Sequence, residues 1–324
     1  MDELIEGFLE ELRRKSPLSD DRIEVLRTLL VRFVELAMVD HDVGDLRVAV
    51  QALNELTEAS TLFSQWRDVP KLAVLGSART TEDHPLYELA RQLGSTMAER
   101  GWMIISGAGP GIMEASAKGA GRGHTLGVNI ALPFEQFANP YIDAETMLVA
   151  MQYFFTRKVA MTRPANAFVM FPGGLGTMDE TFEVLTLLHT GKTSPAPVIL
   201  MDTPDGNYWT QWMTFVDNAV IADRYIDVND MCLVRICTSI DDAVSEIEHF
   251  FSNYVGFEVR GDRGVIKVRR RPSDAQLQEL ASVVPHFARD AGFAFEDDTT
   301  ISFAFDGRNY VNLRMLINRI NEWA

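Results

Sequence analysis

The period of apolar positions changes twice along the chain. Leu4, Ile5, Phe8, Leu9 and Leu12 recur at helical spacing, Ser16-Pro17 interrupts, and Ser19-Asp20-Asp21 opens a second helix carrying Ile23, Leu26, Leu30 and Phe33. A further helix follows over 45–63, so residues 1–66 read as a helical segment without strand signals. From 67 to 253 short apolar runs alternate with helical patterns. Strands are expected at 72–77, 101–106, 126–130, 146–151, 168–171, 198–202 and 231–237. Helices are expected at 85–100, 112–118, 154–162, 208–220, 240–251 and directly after the glycines at 173–176. Alternation with short connections predicts an α/β fold, a doubly wound parallel (Rossmann-like) sheet whose ligands bind at the carboxyl ends of its strands. Residues 254–324 change again: a hairpin over 259–268, a helix over 274–290, a strand over 300–305 and a helix over 309–323 make a small α+β appendage.

Charge narrows the choice of ligand. The net charge of −16 argues against general nucleic-acid binding and against an anionic membrane surface, so any phosphate must be held by local features. The run Lys267-Val268-Arg269-Arg270-Arg271 has two readings, a nucleic-acid patch or a solvated strand end, and the surrounding acids favour the second. The acidic start, Met1-Asp2-Glu3-Leu4-Ile5-Glu6, lacks the apolar core of a signal peptide, and no apolar run is long enough to span a bilayer. Two cysteines, Cys232 and Cys237, are too few for a disulfide framework or a zinc site. Their odd separation on an expected strand points them to opposite faces, as ordinary thiols of a reducing compartment. A cytoplasmic protein without a metal or cofactor is the expectation.

Two loops carry candidate chemistry. Phe168-Val169-Met170-Phe171 runs into Pro172-Gly173-Gly174-Leu175-Gly176-Thr177, and a helical pattern starts at once through Met178, Phe182, Leu185 and Leu188. Glycines there let backbone N–H groups face a ligand, and the start of a helix favours an anion. Glu180 and Glu183 lie one turn apart beside that anion site. The same residues also spell a capping box, in which Thr177 caps the helix and Glu180 reaches back to the Thr177 N–H. The second loop, Gly107-Ala108-Gly109-Pro110-Gly111, is a weak signal alone, and a tight turn would explain it. It is not the dinucleotide fingerprint, because Ile112-Met113-Glu114-Ala115 follows and no acid ends the third strand. Arg157-Lys158 opens the helix upstream of the first-named loop, where a helix dipole favours acids. The pair reads either as a surface ion-pairing group or as a guanidinium reaching the same anion.

Pro172-Gly173-Gly174-Leu175-Gly176-Thr177-Met178-Asp179-Glu180 resembles the PGGxGTxxE signature of the Lonely Guy (LOG) type phosphoribohydrolases, a family long labelled lysine decarboxylase-like. Arg157-Lys158 stands where that family has its Arg-Lys pair, and the stretch from Ser106 to Glu114 resembles its first glycine loop. Ala108 departs from the middle glycine of that loop, and alanine disfavours a positive φ. The resemblance covers about 71–253 and leaves both ends outside, as in longer bacterial-type members.

The resemblance implies hydrolysis of a nucleoside 5′-monophosphate, AMP or an N6-modified AMP of cytokinin type, to free base and ribose 5-phosphate. It implies Glu180 as the carboxylate that stabilises the sugar cation and Arg157 as its partner near the reacting centre. Gly173, Gly174, Gly176 and Thr177 would take the phosphate. Gly107, Gly109, Gly111 and Glu114 would border ribose and base, with Ser77, Lys158 and Glu183 completing the binding set. Members are typically dimers, which puts Tyr153, Phe154 and Phe155 near an interface of a homodimer or higher even-numbered oligomer; internal core is the other reading of these rings. A decarboxylase would require a Schiff-base lysine and its cofactor, and Lys158 reads better as part of the Arg-Lys pair. The rival from another class is a non-catalytic carrier or sensor, resembling molybdenum-cofactor carrier proteins, which needs the glycines but not Glu180.

Overall fold

The computed structural model describes residues 2–39, 42–131, 138–288 and 292–324. Two compact units divide the chain, Met1–Glu55 and Leu56–Ala324. The first contains α1 (Asp2–Lys15), α2 (Asp20–Met38) and the start of α3 (Val43–Ser64). Ser19 caps α2 by accepting from the Arg22 N–H, as its sequence signal predicts. The buried core of this unit is small, centred on Ile5, Leu9 and Ile23.

In the second unit the chain runs through β1 (Lys71–Leu75), α4 (Pro85–Glu99), β2 (Met103–Ser106), α5 (Ile112–Ala120), β3 (Thr125–Ile130) and β4 (Leu148–Met151). It continues through α6 (Phe154–Thr162), β5 (Ala167–Met170), α7 (Leu175–His189), β6 (Val198–Met201), α8 (Tyr208–Phe215), β7 (Val234–Cys237) and α9 (Ile240–Phe250). The strands form one parallel sheet in the order β4-β3-β2-β1-β5-β6-β7. The doubly wound reading holds. Successive residues of the central strands enter opposite cores: Ala73, Leu75, Phe168 and Met170 pack on one side, Leu72, Val74, Val169 and Phe171 on the other.

Strand order reverses between β1 and β5, which pair directly with Leu75 opposite Met170. A sheet that winds both ways from one point opens a crevice above it, because the two following loops turn to opposite faces. The loop after β1 and the Pro172-Gly173-Gly174 loop after β5 both leave from that point.

An antiparallel sheet in the order β10-β11-β9-β8 follows, from β8 (Tyr254–Arg260), β9 (Arg263–Val268), α10 (Asp274–Val283), β10 (Ala294–Asp297), β11 (Thr300–Ala304) and α11 (Tyr310–Asn321). Its register is the expected hairpin, extended by β10, a strand too short to show a period in the sequence. The expected helix over 274–290 ends at Val283 with a 3-10 turn over Pro285–Ala288, and 289–290 lie outside the described residues. A buried ion pair ties this appendage to the large sheet: Arg314 of α11 reaches Glu246 of α9 at 3.0 Å, and Arg235 of β7 holds the other oxygen at 2.7 Å.

The last strand of the parallel sheet starts only at Val234, later than expected. Residues Val228–Leu233 form a 3-10 turn, because Asp227 and Asp230 make a reciprocal capping box that pulls the chain out of the extended state. Cys232 therefore sits on a turn and only Cys237 on a strand. Both thiols are free, and burial pushes each up to about 11.

The helix that carries the 107–111 loop is held by backbone contact. A Cβ on Gly94 of α4 would stand 2.1 Å from the Ser116 carbonyl oxygen, and one on Gly119 of α5 would stand 1.8 Å from that of Arg91. Neither neighbour can yield without separating the two helices. Gly119→Ala should therefore lower stability by about 1–3 kcal/mol, despite the ~1 kcal/mol that alanine gains in a helix. Urea unfolding measures it, and an unchanged or raised midpoint would contradict the close crossing.

Candidate functional site

The loop after β5 delivers an open helix end to the crevice. Gly174 stands at the N-cap of α7 and supplies no side-chain cap. The capping-box reading of Thr177 and Glu180 is overturned. The helix begins earlier, at Leu175, so Thr177 is already inside its first turn, and Glu180 pairs with Arg157 instead of the backbone. Thr177 Oγ1 fills the space over Gly173, where a Cβ would come within 2.1 Å of it. The helix start thus keeps its partial positive charge facing the crevice.

Ser77, just beyond β1, joins both glycine loops. Its N–H donates to the Pro172 carbonyl at 3.2 Å, and its carbonyl accepts from the Ile112 N–H at 3.1 Å. Gly111 has φ +69°, and a Cβ there would stand 2.3 Å from the Ser77 carbonyl oxygen, so only glycine permits the approach. Ala108 adopts φ +59°, a left-handed conformation that glycine takes readily and alanine avoids. The surroundings enforce this: Asn139 donates from its backbone to the Ala108 carbonyl at 2.9 Å and from its side chain to the Gly109 carbonyl at 3.1 Å. The turn is therefore held by Asn139, at the cost of a strained alanine.

Arg157 comes from the first turns of α6. Its Nε donates to the Val128 carbonyl at 3.0 Å and Nη1 to Glu180 Oε1 at 3.3 Å. Nη2 occupies the space a Cβ on Gly107 would need, at 2.1 Å. The side chains of Arg157 and Glu180 are 12% and 13% exposed. Burial raises the Glu180 pKa above the ordinary carboxylate value, while Arg157 and then Lys158 oppose the shift.

Together these groups line a cleft of about 580 Å³ that includes Ser77, Gly107, Arg157, Gly174, Gly176, Thr177 and Glu180. Other expected residues stand apart from its wall. Gly109, Gly111 and Gly173 shape the loops from behind. Lys158 points to Asp179 at 2.9 Å and Glu183 at 2.8 Å. Burial lowers its pKa, but the bonds to Glu183 and Asp179 outweigh this and leave it raised, which is the opposite of what a Schiff-base lysine needs. Glu114 is not on the cleft wall; its carboxylate acts on Tyr87, whose hydroxyl is raised first by burial and then by Glu114. Other contributors escaped the sequence reading. Arg79 and Met113 line the cleft, and Tyr208 donates its hydroxyl to the Gly173 carbonyl at 2.7 Å. Arg79 follows an expected strand end and was detectable in principle; Tyr208 and Asn139 gave no signal.

Among the described residues no cluster of three His, Cys, Asp or Glu could hold a metal, and no helix is long and apolar enough to cross a membrane. Fold and cleft together define a doubly wound α/β domain with an uncapped helix start and a buried carboxylate–guanidinium pair beside it.

A family model described as "Possible lysine decarboxylase" matches residues 113–247. The cytokinin riboside 5′-monophosphate phosphoribohydrolase of Mycobacterium marinum is 35% identical over 169 residues, 50% of this chain and 85% of that protein. Its counterpart from Mycobacterium tuberculosis is 30% identical over 166 residues, covering 49% and 83%. The pyrimidine/purine nucleotide 5′-monophosphate nucleosidase of Escherichia coli is 32% identical over 143 residues, 41% of this chain and 31% of that protein. The chain belongs to the LOG family, the one to which the "lysine decarboxylase" description was attached.

Arg157 is the first force that opposes the upward shift of Glu180. Arg157→Gln should therefore move the midpoint of Glu180 further up, so that it ionises only at higher pH. A ¹³C-carboxyl titration of glutamate-labelled protein reads this directly. An unmoved or lowered midpoint would mean that the pair is not coupled.

Proposed function

We propose that the chain hydrolyses the N-glycosidic bond of a nucleoside 5′-monophosphate, AMP or an N6-modified AMP, releasing free base and ribose 5-phosphate. The observation that carries this reading is the buried Arg157–Glu180 pair, 3.3 Å apart, on the wall of a cleft that also receives the open start of α7. The names of the mycobacterial and E. coli relatives support the substrate class. On this reading residues 67–253 carry the chemistry, with 1–66 and 254–324 as additions to it.

The phosphate lies against Gly174, Gly176 and Thr177, where backbone N–H groups and the helix dipole receive it. As the bond between C1′ and the base nitrogen lengthens, positive charge develops on the sugar ring. The Glu180 carboxylate, ionised and set by Arg157, stabilises that charge in a site largely shielded from water. A water molecule then adds its oxygen to C1′. One of its protons leaves with the base nitrogen, and the other stays on the new anomeric hydroxyl. A cleft built only to hold an anion would gain nothing from Glu180, because a buried carboxylate repels the ligand. That argues against a pure carrier.

Two outcomes follow. AMP should be cleaved on the order of 10²-fold better than adenosine, since the α7 start has no role toward an uncharged nucleoside. Glu180→Gln should keep nucleotide binding and lose on the order of 10²–10³ in turnover. Free adenine measured by chromatography decides both, and a folded Glu180→Gln protein with near-normal rate would defeat the mechanism.

We further propose a homodimer as the minimum working unit, or a higher even-numbered oligomer. Phe154 and Phe155 are 55% and 51% exposed, and Leu175, at the cleft edge, is 90% exposed. Phe154 and Phe155 are therefore not internal core, and a second copy covering them would remove apolar area from water. Light scattering at micromolar concentration should give at least twice the chain mass. A fully active monomer would contradict the assembly and leave the chemistry standing.

A further inference from the structure

The nucleotide reading leaves the charge of the ligand unbalanced. A 5′-phosphate carries close to two negative charges and must enter a protein of net charge −16. The start of α7 offers only about half an elementary charge. Arg157 is held by the Val128 carbonyl and by Glu180, and Lys158 is bound to Asp179 and Glu183 away from the cleft wall. Arg79 is the other cation on that wall, and among the described residues its side chain makes no ion pair and no hydrogen bond.

The backbone fixes where Arg79 emerges. Its N–H donates to Ser77 Oγ at 3.0 Å, and Ser77 in turn bonds the Pro172 carbonyl. The loop bearing Arg79 is thus fastened to the loop that opens α7, and both lie on the same wall as Gly174, Gly176 and Thr177. An exposed guanidinium on the same cleft wall as an open helix start can meet an anion together with its N–H groups. Its planar fork matches two phosphate oxygens at once.

We infer that Arg79 is the phosphate-selecting residue of this cleft, closing over a terminal phosphate monoester that the α7 start receives from below. The inference rests on the nucleotide reading for the base of the substrate, whereas the phosphate site stands on the cleft itself. A solvated surface arginine is the competing explanation, and it predicts no effect on binding.

Calorimetry of ribose 5-phosphate binding to the full chain tests the site without requiring turnover. Arg79→Ala should weaken binding about 10- to 100-fold, and Arg79→Lys should recover part of the loss, since it restores charge without the fork. With AMP, Arg79→Ala should raise KM by a similar factor and keep kcat within about threefold. Binding of ribose 5-phosphate unchanged in Arg79→Ala, or a wild-type chain that does not bind it, would overturn the inference. So would a fall in kcat with KM unmoved. If the wild type binds ribose 5-phosphate through Arg79 yet releases no base from any nucleoside monophosphate, the hydrolase reading fails and the phosphate site stands.

Discussion

A carboxylate kept from water at the head of a parallel sheet is the constraint from which the rest of the site follows. Buried without a partner, Glu180 would take up a proton, because desolvation penalises the charged form. Arg157 keeps the charged form accessible, but a guanidinium under cover needs partners of its own. It finds the Val128 carbonyl at the end region of β3 and the bare backbone of Gly107. A side chain at 107 would displace the guanidinium, so the first glycine loop is as much a seat for Arg157 as a possible neighbour of substrate. Breaking such a pair from one side leaves an uncompensated buried charge, which is why the pair is expected to vary as a unit.

The loops owe their alignment to Ser77 and to the close crossing of α4 and α5. Ser77 bonds one loop through its N–H and the other through its carbonyl, so the crevice at the β1–β5 switch point is stitched by backbone. The two glycines at the helix crossing bring α5 against α4 at backbone distance. Ala108 shows how firmly the path is set, since it accepts a left-handed conformation that alanine avoids. At the other end of the sheet, Arg314 and Glu246 fasten the antiparallel appendage to α9, and α11 packs beside α7. That contact lies on the element bearing Glu180, at its far end.

Most of the large sheet was legible because its strands are short runs buried on both faces, and the helices between them keep a clean period. The site was legible as residue types: two glycine loops, an Arg-Lys pair and two glutamates. What the sequence hid was direction. Thr177 and Glu180 fit a capping box letter for letter, and only the helix start at Leu175 shows that Glu180 turns to Arg157. Lys158 stands beside Arg157 in sequence, yet successive residues on a helix point about 100° apart, so it serves Asp179 and Glu183 instead. Glu114 likewise stands off the cleft wall. Asn139 acts through contacts remote in sequence, which no local pattern encodes. The 3-10 turn before β7 escaped for the opposite reason, since a local capping box overrode an apolar run.

The central claim is that this cleft breaks a glycosidic bond and not a phosphate ester or an exocyclic C–N bond. Product analysis of AMP incubated with the purified chain tests it most directly. The account predicts free adenine and ribose 5-phosphate in equal amounts. Adenosine with inorganic phosphate, inosine monophosphate with ammonia, or AMP recovered intact would contradict it.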